Sequence, residues 1–247
     1  MNPIVIVGEA LGAEEHRIGA SFVGPSGVEL LRQLDESAIL TLTPDDKSLI
    51  AEYYDKGNTR AIAAVWDNHR HEVHRTNVLN IHPHSNKIEE LCGPKSEGIA
   101  GYPMLVKKGY LNAKFEHELE RLADELVDHN PNLVIALGNT ALWALAGQTG
   151  ITKLRGTTLL SSHTVEGFKL LSTYHPAAVL RQWELRPTTV MDLIKAKRES
   201  AYAEIRRPNC EIWIEPTLCD IRTFINRYVI NCNLLSVDIE TAGTRVT

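Results

Sequence analysis

The sequence predicts an α/β fold: three layers, α/β/α, built on a central, mainly parallel sheet of about four strands. Three observations carry this expectation. Ile4-Val5-Ile6-Val7 and Leu133-Val134-Ile135-Ala136-Leu137 are unbroken apolar runs rather than alternating ones, as in strands buried on both faces. Between such runs the spacing turns to that of amphipathic helices, the alternation that builds a parallel sheet with crossover helices. A chain of 247 residues, 43% of them hydrophobic, can bury a core of this size.

Taken in order, the first strand ends at Gly8. Ser26 and Glu29 stand at capping-box spacing and open a helix through Leu30, Leu31 and Leu34. Residues 44–72 are polar and helix-compatible. Residues 76–81 read as a second strand, and 86–112, with several Gly, Pro and Lys, as a surface excursion. Phe115, Leu119, Leu122 and Leu126 have helical spacing that should stop before Pro131. After the third strand, 133–137, Gly138, Asn139 and Thr140 start a short helix that Gly147 ends. Residues 158–160 and 168–173 suggest further strands, and a last helix spans roughly 189–205. Beyond Pro208 the pattern changes. Residues 211–215 alternate like a strand, Pro216 can start a helix through Leu218, Ile221 and Ile225, and 234–241 reads as a buried strand carrying Asp238 and Glu240. The expected division is a domain over residues 1–208 and an incomplete second one over 209–247.

Composition excludes several classes. The composition, 43% hydrophobic and 23% charged with 16 Gly and 11 Pro, rules out collagen-like, coiled-coil and disordered chains, and no apolar run is long enough to span a membrane. The start of the chain lacks the basic flank and cleavage site of a signal peptide, so the expected compartment is the cytoplasm. Four cysteines, Cys92, Cys210, Cys219 and Cys232, form no C-x-x-C pair and read as free thiols rather than a disulfide scaffold or zinc ribbon. The formal net charge of -5 argues against a nucleic-acid binder until its distribution is seen. Residues 1–149 hold 13 basic against 21 acidic side chains, whereas 150–208 hold 10 against 5. That segment could form a local phosphate-binding face on an acidic protein.

In such a sheet, ligand groups gather at the carboxyl ends of the strands. Four segments fall there: 8–22, 76–86, 136–140 and 174–176. Gly8-Glu9-Ala10-Leu11-Gly12 lacks the glycine pattern and lysine of a nucleotide-phosphate loop, and the Glu9 carboxylate would repel a phosphate. This disfavours a nucleotide-binding protein. Singly, Glu9 or Glu15 is an ordinary loop acid, Asn77 a strand-end cap, Phe22 core and His175 a buried histidine. Jointly, the segments resemble the uracil-DNA glycosylase superfamily, in particular its bacterial and archaeal iron-sulfur branch, over residues 1 to about 205. Gly8 to Glu15 and Gly19 to Gly27, with Phe22-Val23-Gly24, are similar to the branch's first motif, Thr76-Asn77-Val78 to its second strand, Asn132 to Gly138 to its third, and Tyr174-His175-Pro176 to its His-Pro motif.

The resemblance implies a monofunctional glycosylase that flips uracil out of DNA and hydrolyses its glycosidic bond, leaving an abasic site. Phe22 would stack on the base, with Gly8 beside it. Asn77, with one donor and one acceptor, matches the N3-H and O4 of uracil and mismatches the amino group of cytosine. His175 would donate to O2 as charge grows there. Glu9 would position the attacking water and favour the positive sugar, and Glu15 is a second carboxylate in the same loop. His82 and His84 are expected not to act as nucleophiles, since the basic insertion of the branch that uses such a histidine is missing. Arg155, Arg181, Lys195 and Lys197, in the basic segment, are the expected DNA contacts.

The branch holds its cluster with four cysteines, two before the first strand and one after the second, which this chain does not match, so no cofactor or metal is expected in this part. Leu11 and His16 replace a usual proline and a usual acid. Leu235 to Thr241 in turn resembles the first motif of the proofreading exonuclease domain of family A DNA polymerases, with Asp238 and Glu240 as its first two metal-binding carboxylates. The implied partners are uracil-containing DNA and a DNA polymerase/exonuclease module in cis, as in a phage glycosylase-polymerase fusion. Two rivals remain open: a non-catalytic uracil-sensing module of a polymerase, and a glycosylase for another base such as hypoxanthine.

Overall fold

The computed structural model describes residues 4–207 and 211–237. The chain divides into two units, 1–205 and 206–247. In the first, β1 (Ile4–Ala10) is followed by α1 (Ala13–Ile18), α2 (Pro25–Glu36), α3 (Pro44–Lys56) and α4 (Thr59–Asn68), and then by β2 (Val73–Leu79). A short hairpin, β3 (Cys92–Gly93) and β4 (Tyr110–Leu111), precedes α5 (Glu116–His129), β5 (Leu133–Leu137), α6 (Gly138–Ala146) and α7 (Ile151–Leu154). The hairpin strands β6 (Thr158–Ser162) and β7 (Glu166–Thr173) lead to α8 (Pro176–Arg181) and α9 (Arg186–Glu199).

The central sheet has five strands in the order β2-β1-β5-β7-β6. Four are parallel, the expected core. The fifth, β6, runs antiparallel to β7 at the edge, because only a few residues join the two and a parallel return needs a crossover. Ile4 pairs with both Val73 and Leu133, so β1 is central and its apolar run is buried on both faces. One side of the sheet packs on Leu30, Leu31, Leu34, Ile62 and Trp66, the other on Leu119, Leu122, Leu126 and Trp143.

Several local expectations are corrected. Ser26 is not a cap: α2 begins at Pro25 with Gly24 before it, and the Glu29 carboxylate bonds Gln33 and Arg186 instead. Residues 44–72 contain two helices, the first opened by a Thr43–Asp46 capping box. The last helix of the unit spans 186–199 and not 189–205. Residues 200–205 turn back over β7, where the buried Lys169 ammonium donates to the carbonyls of Glu199, Tyr202 and Glu204. The excursion at 86–112 is anchored rather than loose, with Ile88, Ile99, Leu105 and Leu111 in the core and Trp143 Nε1 donating to Pro103 O.

In the second unit α10 (Leu218–Phe224) is capped by Thr217, whose hydroxyl accepts from the Asp220 N-H at 3.2 Å. Residues 211–215 form no strand; Ile212 and Ile214 are exposed, and among the described residues no neighbouring strand is there for the alternating pattern to pair with. Asp238 and Glu240 lie outside the described residues.

Candidate active site

The carboxyl ends of β1, β2, β5 and β7 open into a crevice of about 580 Å³, lined among others by Glu9, Glu15, Phe22, Asn77, His175 and Arg181. Each is set there by its element. β1 delivers Gly8 and Glu9, β2 delivers Asn77 opposite Gly8, and β7 runs into His175, the cap residue of α8. Residues from four distant stretches of sequence thus share one wall.

Gly8 is the narrow point. A Cβ there would stand 2.3 Å from Asn77 Oδ1 and 2.5 Å from Phe22 Cζ, so only glycine lets the amide and the ring meet. Phe22 has a left-handed backbone, φ +57°, unusual for an aromatic residue, and the surroundings hold it there. Trp66 Nε1 donates to its carbonyl at 2.8 Å, and Gly27 leaves room for that carbonyl. One residue earlier, Arg75 Nε donates to Ser21 O at 2.9 Å, and the Ser21 hydroxyl receives Asn77 Nδ2 at 3.1 Å. Arg75 itself stacks over Trp66, and burial lowers its pKa to about 10. The Phe22 and His175 rings stack with centroids 6.0 Å apart.

The two loop carboxylates are distinguished by their partners. Glu15 accepts the N-H of Gly12 at 2.7 Å and interacts with the backbone N-H groups of Phe22 and Val23. Burial raises its pKa, opposed by those hydrogen bonds and by Arg75. It ties α1 to the Phe22 turn. Glu9 has one oxygen, Oε2, engaged by the Thr140 hydroxyl at 2.5 Å, from the first turn of α6.

His175 Nδ1 accepts the backbone N-H of Ala177 at 3.1 Å, which leaves the proton on Nε2. Burial, with Arg181 adding to it, lowers the pKa to about 4, so near neutrality the ring is an uncharged donor.

Of the basic residues expected on DNA, only Arg181 lines the crevice. Arg155 forms a bidentate pair with the buried Asp192, which also receives Thr173 Oγ1 at 2.7 Å. Lys195 donates to Gly156 O at 2.7 Å, while Lys197 is exposed on α9. Arg155 and Lys195 are therefore engaged inside the fold. Of the supports, Ser21 and Thr140 lie within segments the sequence had marked but were given no site role there, while Trp66 and Arg75 lie outside every marked segment.

A four-thiolate iron-sulfur cluster does not fit the described residues. Cys92 is the one cysteine of the first unit, where such a cluster needs four thiolates; burial, then Glu89 and Glu9, push its thiol up to about 11. No group of three His, Cys, Asp or Glu side chains that could hold a metal occurs among the described residues. Among them, too, no helix is long and apolar enough to cross a membrane.

A relative from Thermotoga maritima, described as a type-4 uracil-DNA glycosylase, is 27% identical over 198 residues, covering 78% of this chain and 76% of its own. The family model described as the uracil DNA glycosylase superfamily matches residues 2–199, the span that contains the five-stranded sheet and every residue of the crevice, and the chain belongs to that superfamily.

Proposed function

We propose that the protein is a monofunctional DNA glycosylase that hydrolyses the bond between uracil and deoxyribose and leaves an abasic site. The observation that carries this reading is the convergence of Phe22, Asn77, His175 and Glu9 on one crevice, with His175 held as a neutral Nε2-H donor. Phe22 offers a ring face to a flipped base. The Asn77 amide reads its N3-H and O4. As the C1′–N1 bond breaks, electrons pass onto the base, and His175 donates to the growing charge on O2, a neutral donor to an oxyanion. Glu9 stabilises the cationic sugar, orients the water that adds to C1′ and receives its proton. Glu15 organises the loop and takes no proton in this scheme. None of the residues lining the crevice is a lysine, in keeping with hydrolysis rather than Schiff-base strand cleavage. Arg181, and Lys197 farther along, are assigned to the DNA backbone.

The test uses single- and double-stranded oligonucleotides carrying one uracil. The expected result is intact strand after incubation and scission after alkali. Binding to uracil-containing DNA without any alkali-labile product would overturn the enzyme reading in favour of a sensing module, and product from hypoxanthine alone would move the specificity. We further infer coupling to a proofreading exonuclease module from residues 235–241, with Asp238 and Glu240 as metal ligands of a complete domain; the support is that motif alone. Uracil release coupled to DNA synthesis by the full-length gene product tests it, and a gene product without polymerase activity refutes it.

A further inference from the structure

The strand that carries Asn77 is held from outside the sheet by one face of α5. Among the described residues β2 is an edge strand, so its outer backbone groups have no neighbouring strand to bond. Arg121 supplies the missing donors: Nη2 donates to Asn77 O at 2.8 Å and to Val78 O at 3.2 Å, and Nη1 to Thr76 Oγ1 at 3.2 Å. One helical turn earlier, Glu118 Oε2 accepts the Asn80 N-H at 2.9 Å and Arg121 Nε at 2.9 Å. Glu125 completes the set by receiving Nη1 at 2.6 Å, with His74 3.5 Å from its other oxygen. Glu118 is only 7% exposed, on a helix whose other buried positions are leucines.

An exposed ion pair three residues apart on a helix does little for a fold. This one is spent on the backbone of a single peptide segment, 76–80, and the carbonyl it grips most closely is that of Asn77. From the crevice side the same residue is bounded by Gly8 and Ser21. We propose that Arg121 and Glu118 are positioning residues for base recognition: by fixing the Asn77 peptide they set where its amide meets the uracil edge. The inference rests on the reading of Asn77 as the uracil-binding residue.

The planar guanidinium reaches two carbonyls and a hydroxyl at once, which a lysine ammonium in its place cannot do with the same geometry. Arg121→Lys therefore keeps the charge that faces Glu118 and Glu125 but loses the fork. The experiment compares wild type, Arg121→Lys, Arg121→Gln and Glu118→Gln as full-length chains. It measures kcat and KM on a uracil oligonucleotide, inhibition by free uracil, affinity for undamaged DNA, and melting temperature. For Arg121→Gln the expected outcome is an inhibition constant for uracil raised roughly tenfold or more, as for a misplaced binding group, with unchanged affinity for undamaged DNA. Arg121→Lys should melt near wild type yet recover only part of the uracil affinity, so it carries the test even if Arg121→Gln fails to fold. Uracil inhibition within twofold of wild type in both Arg121→Lys and Glu118→Gln would show that the clamp only seals the sheet edge. A wild type that neither binds nor releases uracil would overturn the reading beneath, and the inference with it, whereas an active wild type with unaffected variants overturns the inference alone.

Discussion

Replacing Gly8 by alanine adds one methyl group at the narrowest point of the crevice. Gly8 lies in regular strand and not in the left-handed region, so alanine meets no backbone penalty and the effect is purely steric. The new Cβ would stand 2.3 Å from Asn77 Oδ1 and 2.5 Å from Phe22 Cζ, whereas ordinary contact begins near 3.4 Å. The amide must retreat by about 1.1 Å and the ring by about 0.9 Å. Neither moves freely: both residues are 2% exposed, and Asn77 is tied to Ser21 and Arg121 while Trp66 holds the Phe22 carbonyl. Overpacking of this kind costs about 1–3 kcal/mol of stability. A displacement of about 1 Å in a positioning group costs on the order of 10²-fold in rate, or about 2.7 kcal/mol of barrier. Single-turnover release of uracil from a short duplex, read by alkaline cleavage, should slow by that factor in Gly8→Ala, and free uracil should inhibit less well. A variant that folds and excises uracil at the wild-type rate would show that Gly8, Asn77 and Phe22 do not bound the base pocket.

Three further outcomes follow from the same structure. With the His175 pKa lowered to about 4, the neutral ring persists from alkaline pH down to that value, so kcat/KM should show no inflection near 6.5; a histidine-range inflection that disappears in His175→Asn, or a nitrogen NMR spectrum with the proton on Nδ1, would contradict the assignment. Arg181→Ala should lower the slope of log affinity for DNA against log salt by about one, whereas Arg155→Ala should leave that slope alone and cost about 3 kcal/mol of stability by stripping the buried Asp192 of its guanidinium. Between α3 and β2, burial alone would lower the His69 pKa, but hydrogen bonds with Glu72 and Asp46 outweigh it and raise it above 6.5. Its charged form thus stabilises the fold fully below 6.5, and that contribution disappears as pH rises through the raised value. Denaturant unfolding should find His69→Gln more costly at about pH 5.5 than at about pH 9, and equal costs would remove the ion-pair explanation.

The alternation of buried runs and helical spacing was enough to predict a parallel sheet, because strand and helix periods are local properties of the chain. It was enough as well to place Gly8, Glu9 and His175 at or just after strand ends, since each closes or follows an apolar run, but it set Asn77 at the start of a strand over 76–81, whereas β2 runs Val73–Leu79 and carries Asn77 toward its carboxyl end. It found β6 but left its direction open, since an antiparallel course depends on a short connection and a neighbour rather than on the strand's own residues. It failed at 211–215, where alternation existed with no partner strand among the described residues.

What the sequence determined by itself is the set of chemical groups at the mouth of the sheet. What only the tertiary structure decided is their protonation and their hydrogen-bond partners. Glu9 and Glu15 are equivalent acids in sequence; a hydroxyl 131 residues away engages one, and the backbone of the Phe22 turn engages the other. Arg155 is one basic residue among ten in its segment until Asp192, 37 residues on, claims it. His175 becomes a neutral donor only once the Ala177 N-H meets Nδ1 and the surrounding fold, with Arg181, lowers its pKa to about 4. Hydrogen bonds and desolvation act through space over a few ångströms, and chain separation carries no record of which groups will come that close.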